Sequence, residues 1–145
     1  MPAMYEQVLF TDSTELWNHA LYTPDVVCIN LGTNDISLND YDMDLLTDGY
    51  RRFMKKLRSI YPKAKLVLLS GSMTDSKALS DLKKAMDTVA DEMNKDGDKE
   101  VYRFDMTPQT GELGYGASWH PSLLQQQRMA DELTPFLRKL MSWTD

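Results

Sequence analysis

DVVCINLGTND, residues 25–35, is the stretch that decides the fold. Its apolar part, residues 25–31, is a near-continuous run rich in valine and isoleucine, which is typical of a strand buried on both faces of a parallel sheet. The runs KLVLLS at 65–70 and EVYRFDM at 100–106 predict two further strands. The single cysteine, Cys28, lies inside the first run, and we expect its thiol to be buried and inert.

Helical segments separate these strands. Apolar residues recur at steps of three and four from about residue 41 to 61 and again from about residue 76 to 94. Asn39 or Asp40 is placed to cap the first of these helices. The polar stretch 94–99 contains a glycine and is expected to end the second.

The C-terminal segment predicts a third helix. It opens at Pro121, a favoured first helical position, and we expect Pro135 to kink it or to restart it with Thr134 as the new cap. Strands and helices then alternate along the chain, which indicates an α/β fold of three layers, α/β/α, with a parallel sheet. We interpret residues 1–145 as one domain. In such sheets ligands bind beyond the carboxyl ends of the strands.

The composition limits the classes of partner. Of the 145 residues 42% are hydrophobic, enough for the core of one domain. The net charge is −6 and no Lys/Arg cluster forms a basic stripe, which argues against nucleic acid or an anionic membrane surface as a partner. Residues 1–10 lack the pattern of a signal peptide, and no apolar run approaches the roughly 18 residues that span a membrane. One cysteine allows no intrachain disulfide.

The segment directly after the first strand, GTND, offers a candidate oxyanion donor. Gly32 permits a tight turn, which holds the uncharged amide of Asn34 at the ligand-binding edge of the sheet. A fixed amide N–H aimed at a developing oxyanion lowers the barrier of acyl transfer by roughly 3–4 kcal/mol. The alternative is ordinary turn chemistry, in which Asn34 and Asp35 bond to their own backbone.

The segment after the third strand ends in ASWHPS, residues 117–122. His120 stands just before the predicted helix, and histidine suits general-base catalysis because its unperturbed pKa lies near the working pH. A capping or partly buried histidine is the alternative. Trp119 offers a flat apolar face of the kind that stacks on sugar rings, or else it is a core or lid aromatic residue.

Together these two segments resemble blocks three and five of the SGNH (GDSL-type) hydrolases. GxND follows one strand, and Trp-His-Pro stands just before the last helix. The chain resembles carbohydrate esterase family 2 more closely still. Three stretches are similar to the C-terminal half of that family: MPAMYEQV, TPDVVCINLGTND and GYGASWHPSLLQQQRMADEL.

The resemblance implies a serine esterase that removes O-acetyl groups from polysaccharides such as xylan or glucomannan, without a metal or other cofactor. Asn34 would donate to the oxyanion, and His120 would activate the serine and later protonate the leaving alkoxide. Trp119 would border the sugar site, and Asp35, after Gly32, would brace the turn. The resemblance also implies a secreted or cell-associated bacterial protein.

Two features depart from the family pattern. The family's nucleophile belongs to a Gly-Asp-Ser block upstream of GxND, but this sequence contains neither Gly-Asp-Ser nor Gly-x-Ser-x-Gly. Ser70 and Ser72 are the only sensible replacements, but Ser-Gly-Ser after a strand is commonly just a turn. We therefore expect the nucleophile to lie outside this chain and the chain alone to be inactive. The aspartate that usually precedes the histidine is replaced by Ala117 or Ser118, which leaves a backbone carbonyl or the Ser118 hydroxyl to orient the ring.

The strand at 25–31 would be internal to the family's sheet. Without the family's first strand its edge is unpaired, which favours aggregation. We therefore expect self-association, or a complementing N-terminal segment that covers this edge. Two other functions stay open. One is an SGNH esterase or thioesterase acting on short acyl groups, and the other is a catalytically inactive domain that binds glycans or serves as a scaffold.

Overall fold

The described part of the chain, residues 4–37, 40–73 and 76–144 of a computed structural model, contains two β-sheets. An antiparallel hairpin comes first, formed by β1 (Gln7–Leu9) and β2 (Asp12–Leu16). The strands of the second sheet are β3 (Val26–Ile29), β4 (Lys65–Ser70) and β5 (Val101–Asp105). The helices are α1 (Thr33–Ile36), α2 (Met43–Ile60), α3 (Ser76–Lys95) and α4 (Leu123–Met141). The second sheet is parallel and has the spatial order β3, β4, β5.

Alternate side chains of β4 divide the core between the two faces of this sheet. Leu66 and Leu68 are fully buried in the cluster formed with α2 and α3, whereas Val67 and Leu69 pack against α4. Full burial of one such side chain contributes about 1.5–3 kcal/mol. The arrangement confirms the predicted three-layer α/β/α fold, because β4 is covered by helices on both sides.

The register of the parallel strands brings their carboxyl ends to one edge. Ile29 of β3 lies opposite Leu68 of β4, and Ser70 lies opposite Asp105 of β5. The segments that leave the strands there are residues 30–37, 71–73 and 106–122, which together we call the carboxyl edge. It contains both segments for which the sequence predicts chemistry.

The start of α2 corrects one expectation. The cap is Asp42, whose carboxylate accepts hydrogen bonds from the N–H groups of Asp44 (2.8 Å) and Leu45 (3.1 Å). Asp40 lies two residues too early to satisfy these free donors. The other predicted cap, Asn39, lies outside the described residues.

The start of α4 corrects a second. Pro121 is not the first helical residue, because it pairs with Tyr115 in an isolated antiparallel bridge. Ser122 caps the helix instead and accepts a hydrogen bond from the N–H of Gln125 at 3.1 Å. The shift of two residues leaves Pro121 free to shape the loop that precedes the helix.

Pro135 does not restart α4. The helix runs from Leu123 to Met141 across it, so Thr134 is not a new cap. Proline removes one backbone hydrogen bond from a helix interior. Leu133 and Phe136, on either side of Pro135, both pack against the same face of the sheet, which keeps the two halves of the helix together.

The hairpin of β1 and β2 is not predicted by the sequence pattern. Both strands are short and mostly exposed, and residues 10–11 between them are not the Asn-Gly type that marks a hairpin turn. Tyr5 ties the hairpin to the end of α2 through a hydrogen bond from its hydroxyl to that of Tyr61 (3.1 Å). Lys56 adds an ion pair to Glu6.

The outer edge of β3 corrects the expectation for Cys28. Within the described residues β3 pairs with β4 alone, and Cys28 is exposed. It lies on the same face as Val26, which packs against the α4 cluster, but at the margin of that layer. Partial burial nevertheless raises the pKa of its thiol, which keeps the reactive thiolate scarce.

Candidate active site

The turn after β3 is built around Gly32. Its φ is +97°, and a Cβ added there would lie 2.5 Å from Cδ1 of Leu82 and 2.7 Å from the hydroxyl of Tyr50. Both the backbone conformation and the close packing therefore require glycine. One turn of helix, α1, follows, and Ile36 anchors it with only 1% of its surface exposed.

Tyr50, on α2, supports this turn with a hydrogen bond. Its hydroxyl donates a hydrogen bond of 2.7 Å to the carbonyl of Leu31, the residue before Gly32. Burial raises the pKa of the Tyr50 hydroxyl, and the negative charge of Asp35 raises it further. The phenol therefore stays neutral and remains a hydrogen-bond donor.

The turn presents Asn34 and Asp35 to solvent. Both are exposed, and in the described part of the chain neither side chain has a hydrogen-bond partner. Ordinary turn chemistry for Asn34, with its amide bonded to its own backbone, is therefore not what this structure has. Asp35 closes the turn through its backbone N–H, which donates to the carbonyl of Gly32 at 3.0 Å. The amide of Asn34 remains available to a ligand.

His120 is exposed at the other end of the carboxyl edge, and its ring is oriented by backbone carbonyls. Its Nδ1 lies 3.0 Å from the carbonyl oxygen of Ala117 and 3.1 Å from that of Ser118. A carbonyl oxygen only accepts, so Nδ1 of the neutral ring must carry the proton. Nε2 then bears the lone pair that a general base needs. Of the two orienting groups that the sequence left open, the structure uses the carbonyl.

The loop around His120 has an unusual backbone. Ser118 and Trp119 have φ values of 51° and 63°, the left-handed region that residues other than glycine seldom adopt. The loop is closed by a 2.7 Å hydrogen bond from the N–H of Gly116 to the carbonyl of His120. Trp119 is 72% exposed and meets the ring of Tyr115 edge to face, with centroids 5.0 Å apart.

Direct contacts connect the three segments of the carboxyl edge. A Cβ at Gly71 would lie 2.9 Å from Oδ1 of Asn30, so the segments after β3 and β4 touch there. The N–H of Gln109 donates to the carbonyl of Ser72 at 2.9 Å, which joins the segment after β5 to the one after β4. Asn34 and His120 therefore belong to one continuous edge.

Ser70 and Ser72 are not placed to act as nucleophiles. They are 0% and 2% exposed, and their hydroxyls donate to Oδ1 of Asp105 (2.9 Å) and to Sδ of Met129 (3.2 Å). Ser118 meets His120 through its carbonyl. In the described part of the chain no serine hydroxyl is hydrogen-bonded to the imidazole.

The described residues offer neither a metal-binding group of side chains nor a helix that could span a membrane. They contain no group of three or more His, Cys, Asp or Glu side chains able to hold a metal ion together. Among the same residues no helix has the length and apolar character needed to cross a bilayer.

The family of the chain follows from its sequence over almost its whole length. The sequence model of the GDSL-like lipase/acylhydrolase family matches residues 4–133. The chain belongs to the GDSL-like lipase/acylhydrolase family. This confirms the predicted family, and the match covers the Asn34 turn and the His120 loop alike.

Individual proteins also show likeness to this chain. The chain is 34% identical over 127 residues to a cellulase/esterase (CelE) of Acetivibrio thermocellus, covering 88% of this chain and 16% of that protein. It is 28% identical over 144 residues to an acetylxylan esterase/glucomannan deacetylase of Cellvibrio japonicus, covering 99% of this chain and 38% of that protein. A family two carbohydrate esterase of Clostridium thermocellum, solved in complex with cellohexaose, superposes with a TM-score of 0.87 at 33% identity.

The alignments are much shorter than the relatives. The superposed esterase is covered over 41% of its chain, against 91% of the present one. The chain therefore spans less than half the length of each of these three relatives.

Proposed function

We propose that this chain carries the oxyanion donor and the general base of a carboxylic ester hydrolase that removes O-acetyl groups from polysaccharides such as xylan. The observation that carries the proposal is the orientation of His120. Its Nδ1 is engaged by the carbonyls of Ala117 and Ser118, so the lone pair of Nε2 is left at the exposed carboxyl edge. The names of the relatives from Acetivibrio thermocellus and Cellvibrio japonicus support an ester as the bond that is cleaved and a polysaccharide as the substrate.

The chemistry requires a serine that the described residues do not offer to His120. We propose that it lies on a segment outside the given sequence that pairs with the free edge of β3. The longer relatives leave room for such a segment. On this proposal residues 1–145 form part of one hydrolase domain.

Each residue then has a defined step. Nε2 of His120 takes the proton of the serine hydroxyl while its oxygen attacks the acetyl carbonyl carbon. The amide of Asn34 donates to the oxygen that becomes negative in the tetrahedral intermediate. The intermediate collapses, the bond to the sugar oxygen breaks, and His120 returns the proton to the leaving alkoxide. Water, activated by the same base, releases acetate from the serine.

Trp119 is the proposed sugar-binding residue. Its ring is 72% exposed, next to that of Tyr115, and such an aromatic face suits the apolar face of a pyranose.

The decisive experiment measures acetate release from acetylated xylan. The chain alone is expected to be inactive, and the longer polypeptide encoded together with its upstream DNA is expected to be active. His120→Ala should abolish that activity, while Gln126→Ala, an exposed neighbour on α4, should leave it intact. An in-frame Gly-Asp-Ser upstream of Met1 is expected. An inactive longer polypeptide, or an active His120→Ala variant, would contradict the proposal.

A second function is favoured by the exposure of Trp119 alone. A catalytically inactive domain would bind acetylated xylan through this ring without turnover, even in the longer polypeptide. Trp119→Ala separates the possibilities. It should weaken polysaccharide binding in either case, but only an esterase keeps hydrolysing p-nitrophenyl acetate at a nearly unchanged rate. A variant that loses both substrates equally would indicate a general short-acyl esterase.

A further inference from the structure

The backbone of the His120 loop is held in a conformation that it would not adopt alone. Ser118 and Trp119 are consecutive left-handed residues, with φ of 51° and 63°, and neither is glycine. Such positions persist only where the surrounding structure fixes them, and they are frequent at functional sites. The carbonyls that orient His120 belong to Ala117 and Ser118, so the conformation of this turn decides whether they face Nδ1.

Gln109 connects this turn to the carboxyl end of β4. Its backbone N–H donates to the carbonyl of Ser72 at 2.9 Å, which attaches it to the segment that follows β4. Its side-chain Nε2 donates to the carbonyl of Trp119 at 2.7 Å. A single residue thereby connects the peptide that precedes His120 to the segment after the central strand.

The orientation of the Gln109 side-chain amide satisfies its nitrogen but not its oxygen in the described part of the chain. Because the carbonyl of Trp119 only accepts, the nitrogen must face it. Oε1 is then buried, without a hydrogen-bond partner in the described part of the chain. A buried acceptor without a donor is unfavourable, and its occurrence in a native fold calls for a reason. The bond from Nε2 to Trp119 supplies one.

We propose that Gln109 is a positioning residue for His120. By fixing the Trp119 carbonyl it holds the turn in the conformation in which Ala117 and Ser118 present their carbonyls to Nδ1, and so keeps the lone pair on Nε2. It performs the orienting task that an aspartate before the histidine would otherwise perform, but through the backbone. This role rests on the proposed function for its significance, whereas its test does not require activity.

The test reads the tautomer of His120 directly. The ring nitrogens of ¹⁵N-labelled chain are observed by NMR at alkaline pH, where the imidazole is neutral. The wild-type chain should show His120 predominantly as the Nδ1–H tautomer. In Gln109→Glu, which keeps the size but lacks the donor, and in Gln109→Ala, this form should fall to less than half. Gln126→Ala removes a comparable amide, which donates to the carbonyl of Pro121 at 3.2 Å, and should change nothing.

The outcomes distinguish positioning from mere support. A lower melting temperature with an unchanged tautomer would make Gln109 a structural staple and overturn the proposal. Loss of the folded amide spectrum in both variants would overturn it as well, because the residue would then serve the fold. A mixed tautomer already present in the wild-type chain would show that the turn does not orient the ring. Absence of esterase activity in the chain affects none of these results.

Discussion

The two ends of the carboxyl edge hold their functional side chains by different means. The turn of Asn34 is supported by packing, since Gly32 leaves no room for a Cβ against Leu82 and Tyr50. The loop of His120 is exposed, strained and held mainly by hydrogen bonds from Gln109 and Gly116. Packing against the core therefore holds one half of the candidate site, and a small network of hydrogen bonds holds the other. Substitutions in the two halves should therefore have different effects on stability and on local hydrogen exchange.

Gly32→Ala should have the largest effect on stability. The added Cβ would overlap Leu82 and Tyr50 at a positive φ, so the free energy of unfolding should fall by about 2–4 kcal/mol. Urea denaturation followed by circular dichroism measures the loss. The matched control is Gly49→Ala in α2, where nothing lies within 4 Å of the new Cβ, and a gain of about 0.5–1 kcal/mol is expected. Equal effects at the two glycines would contradict the packing argument.

Tyr50→Phe should destabilise the same turn by less. It leaves the part-buried carbonyl of Leu31 without its donor, and because a fully buried unsatisfied group costs about 1–3 kcal/mol, the loss should lie near the lower end of that range. Urea denaturation again gives the value. Tyr22→Phe, at a side chain that is 68% exposed, serves as the control and should be nearly neutral. A neutral Tyr50→Phe would mean that the turn stands without this support.

Ser122→Ala tests the half of the candidate site that contains the His120 loop. It removes the cap of α4 together with the hydrogen bond of 2.7 Å from Ser122 to the carbonyl of Leu113, and caps contribute about 1 kcal/mol. We expect faster amide hydrogen exchange in residues 112–126 and unchanged exchange in α1. Ser59→Ala, near the end of α2, is the control. Faster exchange spreading to α1 would show that the two halves are coupled rather than independently held.

Asp105→Asn should have the smallest effect and should depend on pH. Burial opposes ionisation, but hydrogen bonds from Ser70 and Lys83 and the charge of Arg103 hold the pKa of Asp105 below its ordinary value. A lowered pKa contributes stability above the unfolded value of about 4, and this is lost as the pH falls through the folded pKa. The carboxylate is 41% exposed, so screening should limit the difference to less than about 1 kcal/mol at pH 7. Urea denaturation of the wild-type chain and of Asp105→Asn at several pH values measures the difference in the free energy of unfolding. A difference that grows on acidification would contradict this sign.

The fold was largely predictable because its signals are local. In the described part of the chain, the apolar runs and the periodic helical stripes predict the three parallel strands and the three long helices to within a few residues. The observed caps, Asp42 and Ser122, differ from the predicted helix starts, because several polar residues near each start can act as the cap. The continuity of α4 through Pro135 depends on packing of Leu133 and Phe136, which no local rule contains. The exposure of Cys28 follows from its place at a sheet edge, which an apolar run alone does not reveal.

The site was predictable only where residue type and position coincide. Asn34 and His120 follow strands and carry recognisable chemistry, so the sequence indicates them. Gln109 and Tyr50 carry no such signal, because a loop glutamine and a helical tyrosine are common and acquire their roles only through contacts to the carbonyls of Trp119 and Leu31. Support of this kind is a property of the folded backbone.

The most direct test of the central claim is the rate of acetate release by the Asn34→Ala variant of the longer polypeptide. Because the amide is proposed to bond only the developing oxyanion, kcat should fall by roughly 10²–10³ while KM changes little. That result would identify Asn34 as the oxyanion donor of an esterase whose base is His120. An unchanged kcat would remove Asn34 from the site and contradict the account.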